Sequence, residues 1–408
     1  MDNTGYKHST SAVKLALRRK KKLHYLGGLL ALALFSTQFY LFGSGSLQLS
    51  HIMLLLFVAL CAILYKTDRG MVKGTMFVLF TSFMLYSSCV NIWYYFFRVG
   101  HDTALLRASL YLWFDYIIFL SILQYSRFLT FSLFRKVYVY PLLASLLFLV
   151  AFYCLGLGRY DYAPRYNAFF NDPNQMAFWV LCALAVIVIT EPNKWVKRAA
   201  LIFAVWACLV SMSRAGFLGM LVLLAGYFLP NIKKLFVRKN LWKLILVVAG
   251  LVVAGGVSVK IYLGSQLANR LNIWERLMDT NMLGELVSRG YGLLLQNPEY
   301  LLVGYGGGEL LALNHELEIH STWGGILFYY GVIGLGFFVG FVYKILRPLP
   351  MPALLVALGP MVYSFFTYGA RTPIFFIFLA VLFSYNRYIK PEQHDKLSNI
   401  QCSNTPVQ

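Results

Sequence analysis

Charge is what this 408-residue chain has little of: Asp, Glu, Lys and Arg make up 13% of it, against 59% hydrophobic residues and a mean hydropathy of +0.64. So little polar surface cannot cover so much apolar mass in water, which excludes a soluble globular domain. Segments of about ten residues that alternate apolar with polar positions are lacking too, which excludes a membrane β-barrel. The six cysteines show no pairing pattern. Cys61, Cys89, Cys154, Cys182 and Cys208 fall in apolar runs, Cys402 falls in the polar tail, and no C-x-x-C occurs, so neither a disulfide framework nor a zinc site is implied. There is no repeat at a solenoid period and no low-complexity tract. A cleavable leader is not evident either. The basic cluster from Arg18 to Lys22 leads straight into a full-length apolar run, which is expected to act as a signal anchor.

What is present is a series of continuous apolar runs of about 17 to 25 residues, the length a helix needs to cross roughly 30 Å of hydrocarbon. They fall at 23–42, 47–65, 71–97, 104–125, 137–157 and 175–190, then at 195–212, 215–229, 241–263, 322–346, 351–368 and 373–388. The fold class this predicts is all-α, a polytopic transmembrane helical bundle of about 12 spans with one large periplasmic loop. The chain divides accordingly into a basic cytoplasmic tail (1–22), nine spans (23–264), the loop (265–321), three spans (322–390) and a polar cytoplasmic tail (391–408).

Lys and Arg set the expected orientation. With the N-terminus in the cytoplasm, 26 of the 36 basic residues fall on the cytoplasmic side, whereas 11 of the 16 acidic residues fall on or near the other. The net charge of +20 is thereby accounted for as topology. A nucleic-acid partner is not expected, because the cations are spread over short loops instead of being gathered with aromatics on one module. Attraction to anionic lipid headgroups is expected.

Ten cations break the bias: Arg98, Arg107, Arg159, Arg165, Arg214, Lys260, Arg270, Arg276, Arg289 and Arg371. An arginine at the centre of a span costs about 2.5 to 3.5 kcal/mol, and less near an interface, so each one has to be explained. Arg214 and Arg371 stand out because their neighbours are small and apolar. Arg214, in Ser211-Met212-Ser213-Arg214-Ala215-Gly216, either snorkels to the headgroups, pairs with a carboxylate such as Asp115, or holds a phosphate at a helix start. Arg165 precedes Asn171-Asp172-Pro173-Asn174, a turn and helix-start signal in which Asp172 or Asn174 can cap free N–H groups. In the large loop, Ser288-Arg289-Gly290 is followed by Asn297-Pro298 and Gly304-Tyr305-Gly306-Gly307-Gly308. Those glycines are read as a substrate-lining loop or a flexible linker, since no P-loop lysine follows them. The loop closes on Glu318-Ile319-His320-Ser321. Either Glu318 or His320 is suited to exchange a proton with a hydroxyl, while His320 also fits a plain helix-capping role and His315 is a weaker candidate.

In their order along the chain, D-P-N-Q, S-x-S-R-A-G, the loop Arg, N-P, G-x-G, E-x-H-S and a Gly-rich span resemble the O-antigen ligase and polymerase superfamily, over roughly Asn171 to Gly334. The resemblance implies a bacterial inner-membrane glycosyltransferase, multi-pass with both termini cytoplasmic, whose active face is periplasmic. The donor it implies is a glycan on undecaprenyl diphosphate, and the acceptor another glycan or lipid A-core. Its expected company is membrane lipids, a chain-length regulator and a flippase. Arg214, Arg289 and His320 take the catalytic positions, with Arg270 and Arg276 as alternatives for the loop arginine. Arg371, Arg165, Asn174, Glu318, Gly304 and Gly306 are expected to line the substrate, with no cofactor and no metal. The interval from Pro298 to Gly304 departs from the P-x-x-G-x-G of the ligases and tips the expectation towards a polymerase. The competing class is a lipid-linked oligosaccharide transporter, which would spread ionisable residues along a central path between paired halves.

Overall fold

The computed structural model describes residues 21–43, 46–65, 74–97, 103–229, 284, 287, 289–307 and 319–403, with side chains described as far as residue 389. The expected span 241–263, the candidates Arg270, Arg276, His315 and Glu318, and most of the large loop lie outside these residues. The described chain is helical. In order it forms α1 (21–36), α2 (Leu49–Leu64), α3 (Thr75–Phe97), α4 (Thr103–Ser126), α5 (Phe131–Cys154), α6 (Pro173–Thr190), α7 (Lys194–Ser211) and α8 (Arg214–Phe228). After the large loop's short helices α9 (Tyr291–Gln296) and α10 (Tyr300–Val303) come α11 (Thr322–Leu346), α12 (Met351–Tyr363) and α13 (Pro373–Ser403). Among the described residues β-structure is limited to two isolated bridges in the loop before α6.

Helices α3, α4, α5, α6 and α11 are each long and apolar enough to cross a membrane, which makes this a multi-pass membrane protein. The bundle is built around α6. Nearly all of its side chains are buried, and it packs against α5, α7, α8, α12 and α13. Its uniformly apolar sequence has no polar stripe because no face of it meets anything but protein. The tightest neighbours are α8 and α12. A side chain at Gly219 would press on the Gly359 carbonyl and on Leu181, and one at Gly359 would press on the Gly219 carbonyl, so small residues let the two backbones touch.

Several expected runs differ from the helices in an instructive way. The run 23–42 is helical only to 36, and the run 351–368 stops at Tyr363, three residues after Pro360. α11 keeps its expected length but is broken at Gly331 (φ 64°, ψ −176°). In each case backbone leaves the helix while still apolar in composition. This is tolerated at membrane depth only where neighbouring protein takes up the freed polar groups. At Gly331 the freed carbonyls of Phe328 and Tyr329 accept from the N–H groups of Tyr305 and Gly306 (both 2.9 Å). α5 starts six residues earlier than the run 137–157, because Thr130 caps it and a π-helical turn, Arg135–Val139, lies in its first turns. α13 continues past the expected end at residue 388 to Ser403.

Candidate active site

Four consecutive residues just past the end of α12's apolar face, Tyr363 to Phe366, tie the candidate site together. Tyr363 donates its hydroxyl proton to the Asn174 carbonyl (2.8 Å) and lies 3.1 Å from the Ser213 hydroxyl. Ser364 accepts from the N–H of Thr322 (2.8 Å), Phe365 from the Tyr291 hydroxyl (2.5 Å), and Phe366 from the guanidinium of Arg289. The carbonyls of 364–366 lie past the end of the helix at Tyr363, so they have no intrahelical donors.

Three helices begin at this end of the bundle. Asp172 caps α6 through the N–H of Asn174 (2.6 Å), Ser213 caps α8 through the N–H of Gly216 (3.2 Å), and Ser321 caps α11 through the N–H of Gly324 (3.0 Å). Between α7 and α8 the chain turns on Met212, a left-handed residue (φ 50°, ψ 34°), so that Arg214 opens α8. Converging N-termini present positive dipole ends, which favours an anion there.

Asn174 is the hub of this turn. Its side-chain oxygen accepts from Arg165 (2.8 Å) and from the Ser213 hydroxyl (2.9 Å). Arg165 is buried and also donates to the Ser211 carbonyl (3.1 Å), so it clamps the loop before α6 onto the end of α7. Both residues therefore position the turn that carries Arg214.

Arg289 and His320 meet through backbone, the His320 N–H donating to the Arg289 carbonyl (3.0 Å). Gly290, in the left-handed region (φ 82°), permits this crossing, because a side chain there would press on Ile319. The Arg289 guanidinium lies over the Phe366 ring (5.6 Å) and acts electrostatically on Tyr363 and Tyr291. Thus the loop arginine and the Ser213–Arg214 turn meet the same short stretch, Phe366 and Tyr363 respectively. The His320 ring is half-buried and has no hydrogen-bond partner among the described residues. The Tyr291 hydroxyl bonds that of Ser321 (2.8 Å). Burial pushes its pKa up, with the Ser321 hydrogen bond and Arg289 opposing, so it keeps its proton at neutral pH.

Arg371 stands at the rim of the same assembly. It ends the 3₁₀ turn Gly369–Arg371, whose Gly369 N–H donates to the Thr322 hydroxyl (2.7 Å). Asp115, offered by the sequence as a partner for Arg214, is buried in α4 and acts with Arg371 on Tyr40, in the irregular chain after α1. Gly304 and Gly306 lie apart from the arginines. Gly304 (φ 112°) packs on the backbone of Tyr329 and Tyr330 at the α11 break. Gly306 (φ 89°) packs on Leu105, and Asn91 accepts from the next N–H, that of Gly307 (2.7 Å). Their backbone conformations and close packing call for glycine without any ligand.

Tyr363, Tyr291 and the 364–366 carbonyls were missed by sequence reasoning. The usable signal was Pro360, late in an apolar run. No family model and no curated protein matches the chain.

Proposed function

We propose that this chain is a bacterial inner-membrane glycosyltransferase that polymerises undecaprenyl-diphosphate-linked oligosaccharide repeat units, of O-antigen or exopolysaccharide type, at the periplasmic face. One observation carries the reading: Arg289, His320 and the turn bearing Arg214, remote in sequence, are gathered around Tyr363 to Phe366 at one end of the bundle. Fixed guanidinium groups beside helix starts suit a diphosphate leaving group, and a histidine at the same place suits an acceptor hydroxyl.

In the reaction proposed, the acceptor sugar hydroxyl attacks the anomeric carbon of the donor and inverts it. The bond from that carbon to the diphosphate oxygen breaks, the hydroxyl proton passes to His320, and undecaprenyl diphosphate leaves with the bonding pair. Arg214 and Arg289 hold the charge growing on the leaving oxygens, and Tyr291, with Ser321, fixes the loop that carries Arg289. Arg371 reaches towards the substrate from the rim. The finer topology belongs to the same proposal: about twelve spans, both termini cytoplasmic, and 265–321 periplasmic.

Transfer to lipid A-core would use the same donor and the same arginines, so the acceptor decides between polymerase and ligase. Deleting the gene and displaying surface and lipid-linked glycans by size separates the two. The proposal expects surface polysaccharide cut back to at most one repeat unit. Long chains persisting on undecaprenyl diphosphate and missing from the core would make the chain a ligase instead.

A further inference from the structure

Asp115 stands near the middle of α4, a helix long enough to cross the membrane, and is 1% exposed. Its Oδ1 has no hydrogen-bond partner among the described residues. A carboxylate at that depth is costly; those found in spans face protein and are kept beside a balancing charge or for function. The packing of the bundle brings a cation to it. α4 packs along α13 and against the turn Gly369–Arg371 that precedes α13. At the far end of this pair the Arg387 guanidinium donates to the Ser126 carbonyl (3.4 Å), which sets residues 126 and 387 level with each other. Counting back from there at about 1.5 Å per residue puts Asp115 roughly 17 Å along the pair and Pro373, where α13 starts, roughly 21 Å. The carboxylate therefore lies at nearly the depth of the turn that carries Arg371.

Tyr40 comes to the same place. Its N–H donates to the Phe169 carbonyl (3.0 Å) and its ring packs on that of Phe170 (5.5 Å), which ties it to the loop before α6. Its hydroxyl feels both the Asp115 carboxylate and the half-buried Arg371 guanidinium. We infer that Asp115 is the buried counter-charge of Arg371, a positioning residue that holds this guanidinium at the rim of the candidate site. Buried as it is, Asp115 does not touch substrate itself. What it sets is the aim of Arg371, and through it the hold on the anionic lipid-linked donor. That consequence rests on the glycosyltransferase reading, whereas the pairing does not.

Two readouts separate these parts. The full chain is purified in detergent as wild type, Asp115→Asn, Arg371→Gln and D115N/R371Q, and the melting temperatures are compared. Each single change strands the opposite charge, so the double variant should lose less than the sum of the two single losses, by at least about 3 °C. Additive losses, or an Asp115→Asn protein as stable as the wild type, would overturn the inference, since a lone carboxylic acid is well replaced by its amide. Should Asp115→Asn fail to accumulate, adding Arg371→Gln should restore the yield, and no recovery would overturn it equally. In liposomes given an undecaprenyl-diphosphate oligosaccharide, Asp115→Asn should raise the KM for the donor by about fivefold or more with kcat within about twofold, and should add nothing in the Arg371→Gln background. A loss in kcat at unchanged KM, or an undiminished effect in the Arg371→Gln background, would show that Asp115 does not act through Arg371. Wild-type protein that releases no undecaprenyl diphosphate would end the reaction proposed above, and the thermal comparison would then decide the pairing by itself.

Discussion

Arg214 opens α8 one residue after the Ser213 cap, at the point where the N–H groups of that helix are nearest to any ligand. What it contributes there in the proposed reaction is a planar fork of donors to phosphate oxygens, and a lysine keeps the charge without the fork. Arg214→Lys should therefore lower glycan transfer by roughly 10²-fold or more while insertion and accumulation stay normal. Chain-length profiles from a strain expressing the variant at wild-type levels check this, and a near-normal profile would return Arg214 to snorkelling at the headgroups. Of the residues named from the sequence, Arg289 and His320 stand in contact, and Asn174 and Arg165 brace the Arg214 turn. The composition of the apolar runs could mark these residues as exceptions. It could not show that Tyr363 joins them, because a tyrosine inside an apolar run has nothing to set it apart until its hydroxyl partners are known.

At the scale of the element, the helix breaks organise this molecule. The loss of helix after 363 and the kink at Gly331 free carbonyls that neighbouring segments then take up, whereas those at the end of α1 are taken up by residues 36–39 themselves. Gly331 is the sharpest case, since a β-carbon there would overlap the carbonyl of Leu302 and the backbone of Val303 as well as facing a positive φ. Gly331→Ala should cost at least about 2 kcal/mol. The expected reading is a lower melting temperature of the purified protein, together with loss of the close packing of 302–306 on α11. An unchanged melting temperature would mean that the kink is not required. Most helices were legible in the sequence, since a run of about twenty apolar residues has few other outcomes in a membrane. The breaks were not. Hydropathy reports what surrounds a residue, and irregular backbone buried in protein has the same surroundings as the helix before it. Only Pro360 and the glycines hinted at them.

Across the whole molecule, the arginine–histidine site and the ion pair of half-buried Arg135 with buried Glu191 lie at opposite ends of α6. Arg135 makes a two-pronged contact with Glu191 (2.8 and 2.5 Å) just beyond the C-terminus of that helix. The proposed topology puts the first end in the periplasm and the second in the cytoplasm. Leu295 and Trp195 are both exposed, at 86% and 74%, on the two sides. In a cysteine-free background, Leu295→Cys should react with a membrane-impermeant thiol reagent on intact spheroplasts, and Trp195→Cys should react only after permeabilisation. The reverse pattern would put the arginines in the cytoplasm and end the proposal. The most direct measurement follows a single turnover in reconstituted membranes. Purified protein in liposomes is given an undecaprenyl-diphosphate oligosaccharide, and both free undecaprenyl diphosphate and lengthened glycan are quantified. The account predicts that the two appear together in the wild type and that His320→Ala and Arg289→Ala each reduce both by about 10²-fold or more. Movement of intact donor across the bilayer with no diphosphate released, or full turnover in either variant, would contradict it.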